Sequence, residues 1–307
     1  MQFQFSQSTT STGGLSSGDR PGPASEDSDD SVTSGEKATG QVVVVKIGGS
    51  TLGTNDTTLA DLVDLQRKGL RPVVVHGGGK IISAWLERQG IRPKFVRGLR
   101  VTDDRTLEVV VAVLTGLVNK SLVSEILALG GKAVGLSGVD GGLLRAEVDS
   151  PELGHVGRVT CVDPSGVADL VSAGCIPVVA PVALNAGSGS PKMLNVNADL
   201  AAGEIAAALG ADRLFMLTDV PGVLDSSKRL IPRLTERQAR GLMASRIVAG
   251  GMIPKIEACL KALSSVSNAY IVDGRRPHVL LESLADAGSG VRAGDGNTGR
   301  LLGTRVG

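Results

Sequence analysis

Val42-Val43-Val44-Val45-Lys46-Ile47-Gly48-Gly49, and after one helical stretch Pro72-Val73-Val74-Val75-His76-Gly77-Gly78-Gly79, are the segments that decide this fold. Each is a β-branched run that ends in glycines, as a strand buried on both faces does before the chain turns into a helix. Between them Leu59, Leu62 and Val63 recur at helical spacing up to Gly69. Beyond them Ile82, Trp85 and Leu86 share one helical face. Strand and helix in this alternation predict a mostly parallel sheet with right-handed crossovers.

The alternation continues outward from these two units. Residues 103–129 predict a long helix with Leu107, Val110, Val111, Leu114 and Val118 on one stripe, capped by Thr102 or Asp103. Strand-like runs follow at residues 133–137, 177–181, 214–218 and 269–273. Residues 143–162, with turn signals at Asp149-Ser150-Pro151 and Gly154, predict an interposed hairpin. The expected fold is α/β: a three-layer αβα sandwich around a mostly parallel, open central sheet. Residues 1–40 are Ser, Thr, Gly and Asp with few aliphatics, too little apolar surface to offset ordering entropy, so a disordered tail is expected there. The folded domain is expected over residues 41–307.

Composition removes several function classes. Lysine and arginine total 32 against 31 aspartates and glutamates, so no basic footprint for nucleic acid or an anionic membrane exists. Cys161, Cys175 and Cys259 are too few and too scattered for a disulfide framework or a zinc site. No apolar run approaches the roughly 20 residues of a membrane span. The first residues lack a basic stretch followed by an apolar one. A cytoplasmic protein without a membrane partner is the expectation.

Ligands of open parallel sheets bind beyond the carboxyl ends of the strands, where the glycine clusters stand. Lys46 ends one buried strand, and Gly48-Gly49 expose N–H groups suited to phosphate oxygens, although a snorkelling lysine before a flexible turn fits equally well. His76-Gly77-Gly78-Gly79 opens a helix and aims N–H groups and the positive end of its dipole at one spot. His76 itself reads as structural, able to orient the loop through a hydrogen bond. Arg100, just before the long helix, has the fork to grip a carboxylate. Asn195 and Asn197 share one side of an extended segment, and Asp199 stands at the following helix start, where an N-cap would explain Asp199 alone. Thr218-Asp219-Val220-Pro221-Gly222-Val223 and Gly250-Gly251-Met252-Ile253-Pro254-Lys255 taken singly are turns beside helix starts. Neither the G-x-x-x-x-G-K-[ST] loop nor a G-x-G-x-x-G turn after a strand occurs, so phosphate must be held by separate glycine turns and lysines.

In succession, Lys-x-Gly-Gly, His-Gly-Gly-Gly, Gly-Leu-Arg-Val-Thr, Asn-Val-Asn-Ala-Asp, Thr-Asp-Val-x-Gly-Val and Gly-Gly-Met-x-x-Lys resemble the amino acid kinase family, and within it the acetylglutamate kinases. The resemblance implies ATP-dependent phosphorylation of N-acetyl-L-glutamate on its γ-carboxylate, with Mg²⁺ accompanying ATP. It implies that Lys46 and Lys255 stabilise the transferring phosphoryl group, that Asp199 organises them, and that Gly49 and Gly78 donate N–H groups to it. Gly78, Gly79, Arg100, Asn195 and Asn197 would hold the acylated amino acid. Asp219, Val220, Gly222, Val223 and Leu224, with Ile247, Val248 and Ala249, would lie against ATP. The acyl-amino-acid lobe would span residues 41–185 and the ATP lobe residues 186–307. Arginine-inhibited members carry an amphipathic helix before the first strand. Here residues 25–40 are acidic and polar, and residues 288–299 are glycine-rich where an inhibitor loop would stand. A homodimer without arginine inhibition is therefore expected, with the long helix as its candidate interface. The rival readings are a kinase for carrier-linked aminoadipate and a non-catalytic nucleotide-binding regulator of the same fold.

Overall fold

The computed structural model describes residues 41–48, 57–187, 192–288 and 302–307. The expectations for the tail over residues 1–40, for Gly49 and for the glycine-rich stretch past Gly288 lie outside the described residues.

The chain opens with β1 (Val42–Ile47), α1 (Thr58–Arg67), β2 (Arg71–His76) and α2 (Gly79–Arg88), as the two valine runs predict. A short hairpin of β3 (Phe95–Val96) and β4 (Leu99–Arg100) precedes the long helix. That helix comprises α3 (Asp104–Val111), a π-helical segment Ala112–Val118, and α4 (Asn119–Ala128). Then come β5 (Ala133–Ser137), β6 (Leu144–Val148), β7 (Val156–Val162), α5 (Ser165–Ser172), β8 (Ile176–Ala180), β9 (Val182–Asn185) and β10 (Met193–Val196). The remainder is α6 (Ala198–Ala208), β11 (Arg213–Thr218), β12 (Arg233–Leu234), α7 (Glu236–Ala244), α8 (Met252–Ala262), β13 (Asn268–Asp273), α9 (Val279–Gly288) and β14 (Gly303–Val306).

The central sheet runs β12-β14-β13-β11-β1-β2-β8-β5. Every pairing in it is parallel except β13 with β14. β1 lies in the middle, and its valines alternate between layers: Val44 joins one core with α6 and α8, Val43 and Val45 the other with α1, α2 and the long helix. This is the expected three-layer arrangement.

The residues 143–162 do form an antiparallel hairpin, β6 with β7. Sequence reading missed its continuation, because β9 and β10 close it into a small barrel in the order β10-β7-β6-β9. Closure depends on pairing across distant segments, which local periodicity does not carry.

Two expectations about the long helix need correction. Asp104–Ala128 is 25 residues long and apolar enough to cross a membrane by length and composition. Thr115, Gly116, Asn119, Lys120 and Ser121 interrupt its apolar run without lowering its mean hydropathy far, so the run looked shorter than the helix. Leu107, Val110, Leu114, Val118, Leu122 and Ile126 are all buried against the sheet, whereas Val111 is only half-buried. The cap is Asp103, whose carboxylate accepts the Thr106 N–H at 2.8 Å, while Thr102 instead bridges to Gly154.

Candidate active site

Lys46 stands near the carboxyl end of β1 and is 6 % exposed. Asp199 sits in the first turn of α6, whose cap is Asn197: its side-chain oxygen accepts the N–H groups of Asp199 and Leu200 at 2.9 and 3.1 Å. Lys255 projects from the first turn of α8. Lys46 Nζ lies 2.8 Å from Asp199 Oδ1 and Lys255 Nζ 3.0 Å from Oδ2. The helices carrying Asp199 and Lys255 touch backbone to backbone, since a Cβ on Gly203 would fall 2.5 Å from the Ala258 carbonyl oxygen.

Burial by itself would raise the Asp199 pKa, but the two ammonium groups outweigh it and hold the carboxyl below the usual range. Burial is also the largest influence on Lys46 and lowers its pKa, against the opposing pull of Asp199. Two cations and one anion leave a local excess of positive charge, at a place where water screens it poorly.

Ile47 and His76 are in register, so Gly48 and Gly77 leave the sheet side by side. Gly77 N–H donates to the Ile47 carbonyl at 3.0 Å, and Gly78 occupies the N-cap position of α2. The first N–H groups of a helix have no intrahelical acceptor, so this turn presents them outward. A Cβ on Gly78 would lie 2.7 Å from Leu114 Cδ2, so a side chain at this position would push the Leu114 side chain aside.

Arg100 is 8 % exposed and lies over the Phe95 ring, 4.8 Å from its centroid. Its Nη2 donates to the Gly79 carbonyl at 2.8 Å and to Ser83 Oγ at 2.9 Å, while Nη1 is buried with no partner among the described residues. Thr102 Oγ1 donates to the Arg100 carbonyl at 2.9 Å and accepts from Asn195 Nδ2 at 3.1 Å. Gly79, Arg100 and Asn195 are thus joined by a continuous hydrogen-bond chain. Thr102, which completes it, and Ser83, a second acceptor for Arg100, were not predicted as site residues, because a hydroxyl in a helix or beside a cap carries no distinctive spacing.

Asp219 follows β11, is exposed, and exerts a favourable charge effect on Lys46. Val220 and Leu224 are half-buried. Gly222 has a φ of 144° and abuts Thr304, where a Cβ would be 2.7 Å from Oγ1. Val223 is fully buried and its N–H donates to Thr304 Oγ1 at 2.8 Å. Ile247 and Ala249 are exposed, but Val248 belongs to the core. Across the cleft, a Cβ on Gly98 of the β3–β4 turn would come within 3.9 Å of Gly250, just before α8. Arg275, beyond β13, forks onto Asp273 with Nε and Nη2 both at 2.8 Å and also feels Asp219; sequence reading overlooked this pair.

The family model described as the amino acid kinase family matches residues 41–273. This chain belongs to the amino acid kinase family. Its motifs therefore sit in a family fold, with the lysine–aspartate–lysine trio near the end of β1 and at the starts of α6 and α8. The chain is 43% identical over 257 residues to a Dehalococcoides mccartyi protein named acetylglutamate kinase, covering 83% of this chain and 94% of that one. It is 49% identical over 260 residues to a protein of the same name from Synechococcus sp., covering 82% and 85%. Among solved structures, N-acetylglutamate synthase from Neisseria gonorrhoeae superposes with a TM-score of 0.72 at 24% identity, covering 88% of this chain and 60% of that one. That last likeness speaks to the fold alone.

Proposed function

We propose that this chain transfers the γ-phosphoryl group of ATP to the γ-carboxylate of N-acetyl-L-glutamate, giving N-acetyl-L-glutamyl 5-phosphate, the second step of arginine biosynthesis. The observation that carries the reading is one buried carboxylate, Asp199, holding Lys46 and Lys255 beside a glycine turn. The relatives at 43% and 49% identity bear the name of that activity.

No general base is required. The attacking carboxylate has an ordinary pKa of about 4.3 and is ionised at neutral pH. Catalysis then consists of bringing two anions into line and stabilising the charge that spreads over the phosphoryl oxygens. Lys46 and Lys255 supply the charge, Asp199 keeps them at a fixed spacing, and the N–H groups of Gly49 and Gly78 donate to the phosphoryl oxygens. Arg100 offers its unpartnered Nη1 to the α-carboxylate of the acceptor. Gly79 and Asn195 line the same acceptor pocket. For Asn197 we assign a supporting role, because its side-chain oxygen is committed to the α6 cap.

Nucleotide lies along Asp219, Val220, Gly222, Val223 and Leu224, with Ile247, Val248 and Ala249 behind it. Val223 and Val248 shape the floor from the core rather than by polar contact. Among the described residues no cluster of three His, Cys, Asp or Glu forms a metal cage, and both Asp199 oxygens face lysines. Mg²⁺ fits as part of the substrate, arriving on the phosphates of ATP with its own waters. The acceptor lobe over residues 41–185 and the nucleotide lobe over residues 186–307 meet at the trio. A cytoplasmic homodimer is the proposed assembly. The exposed Leu117, Leu127 and Leu129 on and just after the long helix support that helix as its interface.

The test is ADP release from Mg-ATP with N-acetyl-L-glutamate, with hydroxylamine trapping of the acyl phosphate. Aspartate, glutamate and N-acetyl-aminoadipate serve as competing acceptors. Turnover confined to N-acetyl-L-glutamate supports the reading. A folded, ATP-binding protein inert towards every free acid refutes it in favour of a carrier-linked acceptor or a regulator.

A further inference from the structure

We propose that His76 and Asn119 are a positioning pair that fixes the peptide plane between Gly77 and Gly78 and thereby aims the Gly78 N–H into the site. The inference rests on the reading of that N–H as a donor to the transferring phosphoryl group.

Both side chains are sealed from water, at 1 % and 0 % exposure. Asn119 Nδ2 lies 2.8 Å from the Val178 carbonyl, 3.3 Å from the Leu136 carbonyl and 3.2 Å from His76 Nε2. Asn119 Oδ1 accepts from Lys120 Nζ at 3.2 Å, which sets the orientation of the amide. An amide nitrogen can only donate, so His76 Nε2 must accept and the ring proton must sit on Nδ1. Nδ1 lies 3.2 Å from the Gly77 carbonyl oxygen, so it donates there. The partners choose the tautomer.

A peptide group is planar, and the Gly77 carbonyl oxygen and the Gly78 N–H point from opposite edges of one such plane. Holding the oxygen therefore holds the N–H. Gly77 N–H is tied separately to Ile47, and Leu114 and Val118 block displacement of Gly78 towards the long helix. Without the ring, two adjacent glycines would leave this plane free to rotate.

The π-helical segment Ala112–Val118 supplies the other side of the device. It sets Leu114 and Val118 against Gly78, and it delivers Asn119 to the carbonyls of β5 and β8. Wide helical turns of this kind recur where a helix must place a functional group off its regular spacing.

Two substitutions separate positioning from bulk. The amide nitrogen of asparagine can occupy the place of Nδ1, whereas that of glutamine reaches the place of Nε2. His76→Asn is expected to keep kcat within about threefold, and His76→Gln to lower it on the order of tenfold to a hundredfold, with KM for both substrates little changed. In the ¹⁵N spectrum of the wild-type imidazole at neutral pH, His76 is expected as the Nδ1–H tautomer. An Nε2–H ring, or equal kcat in the two folded variants, overturns the inference. Wild-type turnover of N-acetyl-L-glutamate is the control: if it is missing, the proposed reaction is wrong, while the spectrum still tests the pair. If either variant fails to fold, the wild-type spectrum alone decides.

Discussion

Lys46 and Lys255 meet on the two oxygens of one buried carboxylate, at 2.8 and 3.0 Å from Asp199. Removing one lysine leaves a balanced pair, whereas removing Asp199 leaves a buried and a half-buried ammonium group facing each other. Lys46→Met is therefore expected to unfold in urea within about 1 kcal/mol of wild type, because an apolar side chain replaces a buried charge without orphaning another. Its turnover should fall about a hundredfold or more, the usual loss for one donor to a transition-state charge. Asp199→Leu should lose roughly 3–5 kcal/mol of stability. Equal destabilisation by the two substitutions would contradict this division of charge.

Gly203→Ala addresses the crossing of α6 and α8. The added methyl would stand 2.5 Å from the Ala258 carbonyl oxygen and 2.8 Å from its Cα, both backbone atoms with nowhere to move. The helices must separate, at a cost of about 1–3 kcal/mol, and Asp199 and Lys255 separate with them. Turnover is expected to fall together with the melting temperature. Unchanged kcat in a destabilised variant would show that the trio does not depend on this contact.

Thr304→Val removes one buried hydroxyl with two duties. Oγ1 donates to the Ile231 carbonyl at 2.7 Å and accepts the Val223 N–H at 2.8 Å, tying β14 to the turn proposed to lie under ATP. The buried Val223 N–H and the partly buried Ile231 carbonyl lose their partner, which costs about 1–3 kcal/mol. The expected kinetic signature is a raised KM for ATP with the KM for N-acetyl-L-glutamate unchanged. A shift in the acceptor KM instead would place this turn elsewhere in the site.

His76 makes the fold sensitive to mild acid. Burial pushes its pKa down to about 4 from 6.5, so the unfolded chain takes up a proton that the folded one refuses. Stability from this group is complete above pH 6.5 and is lost as pH falls towards 4, by about 3 kcal/mol in all. Urea titrations of wild type and His76→Asn across that window should show a shallower decline in the variant. Parallel curves would mean that the ring titrates in the folded state as it does in the unfolded chain.

The site was legible where chemistry sits at the end of a local pattern. A valine run stopping at Lys46, another stopping at His76, and an acidic residue two positions after Asn197 are visible without any neighbours. The long-range partners were not. Asn119 looks like a polar interruption on a helix, yet it is fully buried, because only tertiary packing brings the β5 and β8 carbonyls to it. Asn197 alternates with Asn195 in the sequence, and its oxygen also closes the start of α6, a capping bond the alternation does not announce. The π-helical turn was invisible, since one widened turn barely disturbs the apolar spacing of the helix around it.

The central place of β1 sets an order on how the protein is made. One neighbour, β2, follows directly after α1, but the other, β11, begins only at Arg213. While the chain emerges from the ribosome, one whole edge of a valine strand therefore waits, unpaired and adhesive, until the residues 213–218 arrive. Lys46 cannot be held in register on both sides before then. A nascent or prematurely ended chain shorter than that is a candidate for aggregation and chaperone capture, and it has no partial activity to offer.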